Sequence, residues 1–438
     1  MSAVRRRLGW PHVAGLGVAL VVAGQFSGWN YGLAASGWGN MVVATVLMAL
    51  LCFGLALCLA ELSAARPHAG GMYFYCQEAF GPLVGSSVGC AVFVALAIGT
   101  GAAAEFVSAY AGHVLGFGGW PLKIILFAAI VGLHLRGIGE AMRLMVGAGA
   151  LAVAGILLFD LAMLPQFDLA NLVPPGKRLH VDIGGVFACI PYAIWLFISV
   201  EQSAAASEEV ADPARNMPRG IVVAILTLFV SALGVLVLGA GAGGVARVGS
   251  AADPLYAAMV GGGISHIIVV IVGLSGILGL VATLFSLIYA ASRQMFALAR
   301  DGFMFPALAR TNRFGAPHWA LLLVGTIGLA ASALPPDRIL LAVVLSLSAS
   351  YVVLLAAFIR LRSTWNDVGR PFRAWGGIVT ASICMLLAAI LFAACFQADA
   401  RVLIGLGLFI ALAVFNHVVR LRRAGPVAEP TERIVDVA

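Results

Sequence analysis

Charge is what this sequence has least of. Only 10% of its 438 residues are Asp, Glu, Lys or Arg, and 62% are hydrophobic. A soluble domain carries about 25% charged and about 45–50% apolar residues. So few charges cannot cover a water-exposed surface, which excludes a water-soluble fold and leaves lipid as the solvent. Cysteine pairing is lacking as well. The seven cysteines, at 52, 58, 76, 90, 189, 384 and 395, lie mostly inside apolar runs and form no CxxC pair. That excludes a disulfide framework and leaves small buried hydrophobes. No metal-ligand spacing, nucleophile elbow or phosphate loop occurs, so no enzyme chemistry, metal site or cofactor is implied. The basic residues fall in short stretches between apolar runs, which gives nucleic-acid binding no footing. The polar tail after Arg423 is short, and no soluble domain is expected.

What the sequence has instead is a succession of apolar runs. About 20 apolar residues cross a bilayer as a helix. Such runs lie near 12–36, 39–65, 84–112, 120–136, 140–164, 182–204, 218–242, 264–297, 317–334, 338–360, 373–396 and 402–420, which predicts twelve transmembrane helices. The 52 glycines fit, because small residues let membrane helices approach closely. With the N-terminus inside, twenty of the 26 basic residues fall on the inner side. Only Lys123, Lys177, Arg178, Arg247, Arg338 and Arg401 fall outside. Positive charge stays cytoplasmic during insertion, so a multi-pass protein of the cytoplasmic (inner) membrane is expected, with both termini in the cytoplasm. Arg5, Arg6 and Arg7 ahead of an apolar stretch suggest a signal peptide, but the stretch runs on into the most distinctive motif of the chain.

Two spans are interrupted. The first reads Gly24-Gln25-Phe26-Ser27-Gly28-Trp29-Asn30-Tyr31-Gly32 in its middle. The sixth carries Pro191 mid-span and ends Trp195-Leu196-Phe197-Ile198-Ser199-Val200-Glu201. Irregular backbone at membrane depth persists only where it is buried in protein or lines a cavity. Breaks at matching positions of two halves point to an inverted-repeat transporter with its substrate site where the breaks meet.

Three stretches carry a resemblance. Ala60-Glu61-Leu62-Ser63-Ala64-Ala65-Arg66-Pro67-His68-Ala69-Gly70-Gly71-Met72-Tyr73 with Ala79-Phe80-Gly81-Pro82 follows the second span. Glu201 through Ser207-Glu208-Glu209-Val210, Asp212-Pro213 and Arg215-Asn216-Met217-Pro218-Arg219 follows the sixth. Ser292-Arg293-Gln294 through Ala299-Arg300-Asp301-Gly302 follows the eighth. Together they resemble the amino acid–polyamine–organocation transporter superfamily over nearly the whole chain. Within it, Gly28-Trp29-Asn30-Tyr31-Gly32-Leu33 and Trp195-Leu196-Phe197 resemble the ethanolamine permease family. The third span departs from that family, with no carboxylate in its cytoplasmic half, Val88 to Leu96.

The resemblance implies a single membrane domain with a leucine-transporter-like five-plus-five inverted repeat: 12–164, then 182–360, then helices 11 and 12 within 373–420 and a cytoplasmic tail, 421–438. It also implies alternating access around a midplane site. Substrate-binding candidates are Gln25, Phe26, Ser27, Gly28, Trp29, Asn30, Thr100, Glu105, Trp195, Phe197 and Ser199. Where many relatives have Gly-x-Gly to bind a carboxylate, Asn30 replaces the second glycine and can offer its amide. That tilts the expected substrate towards ethanolamine or a similar amino alcohol. Aromatic faces such as Trp195 suit an ammonium, against packing as the competing reading. Glu105 is the carboxylate best placed to pair with a cationic amine, because an ionisable residue inside a span is costly and needs a role. Asp160 reads as an outer-end polar group, and Glu61 with Arg66 as a structural ion pair. Glu201 either carries a proton in symport or organises the sixth helix. Ser286 and Tyr289, with Thr283, could line a Na⁺ site or simply bond their own helix. A co-transported H⁺ or Na⁺ and exchange all stay open. The function expected is amine transport, with an amino acid permease or exchanger of the same fold as the alternative. The partners are a small-molecule substrate and the lipid bilayer. A scaffold without flux would not explain paired breaks, and a channel lacks any filter repeat.

Overall fold

In lipid, a strand or loop would leave backbone N–H and C=O groups unpaired, so apolar runs this long fold as helices. The computed structural model describes residues 9–397 apart from 69–70, 137–138, 174–177, 202–209 and 366–367, with scattered positions between 404 and 415. Arg5–Arg7, the Ser207-Glu208-Glu209 motif, most of the expected span 402–420 and the tail 421–438 lie outside the described residues.

Fourteen α-helices are found among the described residues. They are α1 (Trp10–Val21), α2 (Tyr31–Ala65), α3 (Met72–Phe80), α4 (Pro82–Leu115), α5 (Gly119–Arg136), α6 (Gly139–Met163), α7 (Ile183–Ala193), α8 (Pro213–Gly243), α9 (Val245–Ser250), α10 (Pro254–Gly261), α11 (His266–Arg300), α12 (His318–Ala331), α13 (Pro336–Thr364) and α14 (Ile378–Ala394). Seven are long and apolar enough to cross a membrane, those in α2, α4, α5, α6, α8, α11 and α13. Shorter apolar helices run through Ile183–Leu196, His318–Ala331 and Ile378–Ala394. Interruption accounts for part of the difference from twelve: α1 gives way to a 3-10 turn, Val22–Gln25, and α7 to another, Ile194–Leu196. Conversely, α2 is two helices joined at Gly37, whose φ of 80° and ψ of 176° only glycine adopts without strain.

The packing is helix on helix. α11 lies against α4 and α6, α1 against α8, α2 against α7 and α8, and α13 against α4 and α14. Large apolar side chains such as Leu161, Val230 and Ile267 remain exposed, as a lipid-facing surface requires. All seven cysteines are free and buried.

The charges that are buried are paired, though not always as the sequence suggested. Glu61 does not meet Arg66. Five residues apart on a helix, the two side chains point to different faces, and Arg66 pairs with Glu78 at 2.9 Å instead. Glu61, fully buried, accepts from Arg370 Nη1 at 2.6 Å and from the Ala374 N–H at 2.7 Å, with Arg362 at 3.4 Å. This cluster ties α2 to the end of α13 and to the segment before α14. Removing one member of a buried ion pair costs about 3–5 kcal/mol. Glu61→Ala is expected to lower unfolding stability by that order, measured by thermal unfolding of the purified protein, whereas Arg66→Ala is expected to change it by less than about 1 kcal/mol.

Candidate functional site

At the first break, residues 26–30 form a run of turns between the 3-10 turn and α2, and every side chain from Gln25 to Asn30 that has one is buried. Buried backbone polar groups outside a helix need other partners, and here they come from side chains. Asn30 Oδ1 accepts from the Gly28 N–H at 3.1 Å. Its amide Nδ2 donates to the carbonyls of Val248 (2.9 Å), Ala251 (2.7 Å) and Gly249 (3.3 Å). Ser27 Oγ donates to the Ala252 carbonyl at 2.8 Å. Tyr110 of α4 donates to the Phe26 carbonyl at 2.8 Å and meets the Phe26 ring edge-on. The amide that could have been offered to a ligand is thus spent on residues 248–251, the end of α9 and the residue after it, which close over the break. Asp253 continues this cover and pairs with His113 at 2.6 Å. Burial pushes the Asp253 carboxyl above its ordinary range, and the nearby His113 opposes that shift.

The second break follows α7. Phe197 leaves helical geometry, and Ser199 has a φ of 77°, a left-handed conformation unusual for a residue with a side chain. The two breaks meet at Trp195. Its indole lies over Gly24 and Gly28, so a Cβ at Gly28 would stand 2.5 Å from Trp195 Nε1, and one at Gly24 2.8 Å from the Trp195 carbonyl. Gly28 also has a φ of 105°. No side chain but hydrogen fits there. Two polar atoms, one on each break, are buried without a hydrogen-bond partner among the described residues. They are the donor Trp195 Nε1 and the acceptor Gln25 Oε1, whose amide nitrogen is held by the Leu228 carbonyl at 3.0 Å. Buried polar atoms are nearly always paired, so both atoms are open to a partner. Phe197 is buried, and Glu201, 3% exposed, faces Tyr351 of α13.

Other candidates point elsewhere. Trp29 donates to the Gln25 carbonyl at 2.9 Å and abuts Phe159 and Gly239 on the α6–α8 side. Thr100 donates to the Ala97 carbonyl at 2.6 Å and sits against Gly328 of α12, away from the breaks. Glu105 is ion-paired with Lys123 of α5, and Lys123 also donates to the Ser332 carbonyl at 3.0 Å. Its charge is already answered. Ser286 bonds back to the Ala282 carbonyl at 2.9 Å. Tyr289 stacks with His134 near the Arg300 end of α11. Asp160 lines a separate cavity of about 430 Å³ between α1, α6 and α8. Sequence reasoning missed the cover at 248–252. Its only signal was a polar Asn where glycine was expected, which implies a partner but does not say which.

A family model described as amino acid permease matches residues 8–415. The chain is 24% identical to a branched-chain amino acid permease of Bacillus subtilis, over 88% of this chain and 87% of the relative. It is 26% identical to a methylthioribose transporter of the same organism, over 81% of each. It is also 26% identical to an uncharacterized transporter of Rhizobium meliloti, over 86% of this chain and 85% of the relative.

Asn30→Asp replaces a donor with an acceptor facing three carbonyls. Leaving such groups unpaired costs about 1–3 kcal/mol each. The variant is expected to lose about 2 kcal/mol or more of stability in thermal unfolding, and Asn30→Gln, with a longer reach, is not expected to restore it.

Proposed function

The chain belongs to the amino acid permease family, and from that premise we propose that it is a secondary active transporter of a small apolar amino acid, working by alternating access. The observation that carries this reading is the pair of unpartnered buried atoms on the two breaks. A zwitterion supplies what each lacks: a carboxylate to accept from Trp195 Nε1, and an ammonium to donate to Gln25 Oε1. Phe26 and Phe197 offer apolar surface for a side chain, and the named substrate of the Bacillus subtilis branched-chain permease has that chemistry. A second reading, ethanolamine, is favoured by the Gly28-Trp29-Asn30 motif, since a hydroxyl can also accept from Trp195. The engagement of Glu105 by Lys123 weighs against it, because no free carboxylate there answers the amine.

The reading carries an architecture with it. Twelve spans cross the cytoplasmic membrane with both ends inside. The repeats are 12–164 and 182–360, followed by helices 11 and 12 and a cytoplasmic tail. Gly28, Trp195, Gln25, Phe26, Phe197 and Ser199 form the substrate site, with Ser27 and Asn30 holding its cover. Glu201, Ser286 and Tyr289 are the candidates for coupling or gating to H⁺ or Na⁺. Trp29 supports the site from behind, and Thr100 lies outside it.

Reconstituted in proteoliposomes, the protein is expected to take up labelled leucine or valine, with unlabelled branched-chain amino acids competing and ethanolamine failing to. Saturable ethanolamine uptake without amino acid uptake would overturn the first reading in favour of the second. Trp195→Phe keeps the ring and removes the N–H. It is expected to raise KM for the amino acid about tenfold, the worth of a hydrogen bond to a charged group, and an unchanged KM would sink the role given to Nε1.

A further inference from the structure

A second pocket, about 120 Å³ in volume, opens at the far ends of α5 and α11. His134, Tyr289, Ser292 and Arg293 line one side, and the segment Phe314–Pro317 the other. His134 is 3% exposed. Its Nδ1 lies 2.8 Å from the Ile130 carbonyl. A carbonyl only accepts, so Nδ1 carries the proton and the neutral ring presents Nε2 as an acceptor. That Nε2 is buried in the lining without a partner among the described residues. The Phe285 ring packs 4.1 Å from the imidazole and holds it in place. At the mouth, the Arg293 guanidinium lies 5.3 Å over the Tyr289 ring, and no ion pair is found for it among the described residues.

The wall is built rather than incidental. Asn312 Nδ2 donates to the Leu135 carbonyl at 2.7 Å, while Asn312 Oδ1 accepts from the N–H groups of Phe314 (2.9 Å) and Ala316 (3.1 Å). The segment is thereby clamped to the end of α5. Close in sequence to the lining residues, Phe314, Trp319 and Leu322 are exposed apolar side chains, and Arg136, Arg310 and Arg313 are exposed cations. Aromatic residues beside basic ones mark the membrane–water interface, where basic pockets between helices take lipid headgroups.

We propose that this pocket binds the headgroup of an anionic phospholipid of the phosphatidylglycerol type, its phosphate on Arg293 and a glycerol hydroxyl donating to His134 Nε2. The inner acceptor requires a donor and the outer cation requires an anion, and a phosphoglycerol headgroup carries both. The volume admits the headgroup only, which leaves the acyl chains to exposed apolar side chains such as Phe314. The site is separate from the junction at Trp195. With the orientation proposed above, the pocket lies in the cytoplasmic leaflet.

Native mass spectrometry of the full-length protein in detergent, loaded with phosphatidylglycerol, phosphatidic acid or phosphatidylethanolamine, tests this. The wild type is expected to retain one phosphatidylglycerol in preference to phosphatidylethanolamine, and Arg293→Gln to retain it about tenfold less. His134→Leu is expected to abolish the preference for phosphatidylglycerol over phosphatidic acid, which has the phosphate without the glycerol hydroxyls. Unchanged lipid-free thermal unfolding would show that both variants fold. Equal retention of phosphatidylglycerol by Arg293→Gln and the wild type overturns the proposal. Displacement of the lipid by free glycerol phosphate at equal concentration also overturns it, because the site would then be one for a soluble anion. Neither outcome bears on transport of an amino acid.

Discussion

Everything about this protein's centre follows from the need to pair backbone polar groups where no water can do it. An unbroken helix meets that need internally. The first span gives it up between Phe26 and Asn30, and the break's own Ser27 and Asn30, with Tyr110 of α4, repair the loss. Asn30 is the hub: its oxygen holds the Gly28 N–H and its nitrogen holds the carbonyls of Val248, Gly249 and Ala251. Tyr110 and Ser27 complete the repair. The same bonds that make the break tolerable also fasten the cover at 248–252 over it. Displacing this cover would leave the Asn30 amide and the Ser27 hydroxyl without these partners, which couples the cover to the break.

Charge obeys the same economy. Lys123 and Glu105 answer each other across α5 and α4, and Glu61 gathers Arg370, Arg362 and a backbone N–H at the opposite end. A buried ion left alone costs several kcal/mol, so each such residue is tied to a partner on another helix and works as a clamp. This is why a carboxylate facing the membrane interior is a weak guide to substrate. Glu105 has the chemistry to bind an amine, but Lys123 already holds it. The unpartnered buried atoms on the two breaks are neutral instead, an indole N–H and an amide oxygen.

Much of this was legible in the residues themselves, and the limits are physical. The break at 24–32 was visible because three glycines and several polar groups cluster there at membrane depth, where polar groups facing lipid are costly. The break after Pro191 was visible for a related reason, since proline removes a helix hydrogen bond. The partner of Asn30 was not legible, because Val248–Ala252 lie more than 200 residues away in an unremarkable stretch of small residues. Nor was the orientation of Thr100, whose hydroxyl could have turned to either face of α4. Helical spacing alone separated Glu61 from Arg66, but which of the distant arginines would reach Glu61 depends on how α13 and the approach to α14 cross α2.

Composition and pattern therefore determined, unaided, that the chain is helical and lives in lipid, and where the backbone must leave the helix. Those properties are local: they depend on the hydropathy of a run and on what glycine and proline do to a backbone. Which side chains meet at the breaks was decided only by tertiary packing. It set Trp195 on Gly24 and Gly28, spent the Asn30 amide on the cover, and gave Glu105 to Lys123. A polar side chain in a membrane must find a partner, but the sequence names only its need, and the fold chooses who meets it.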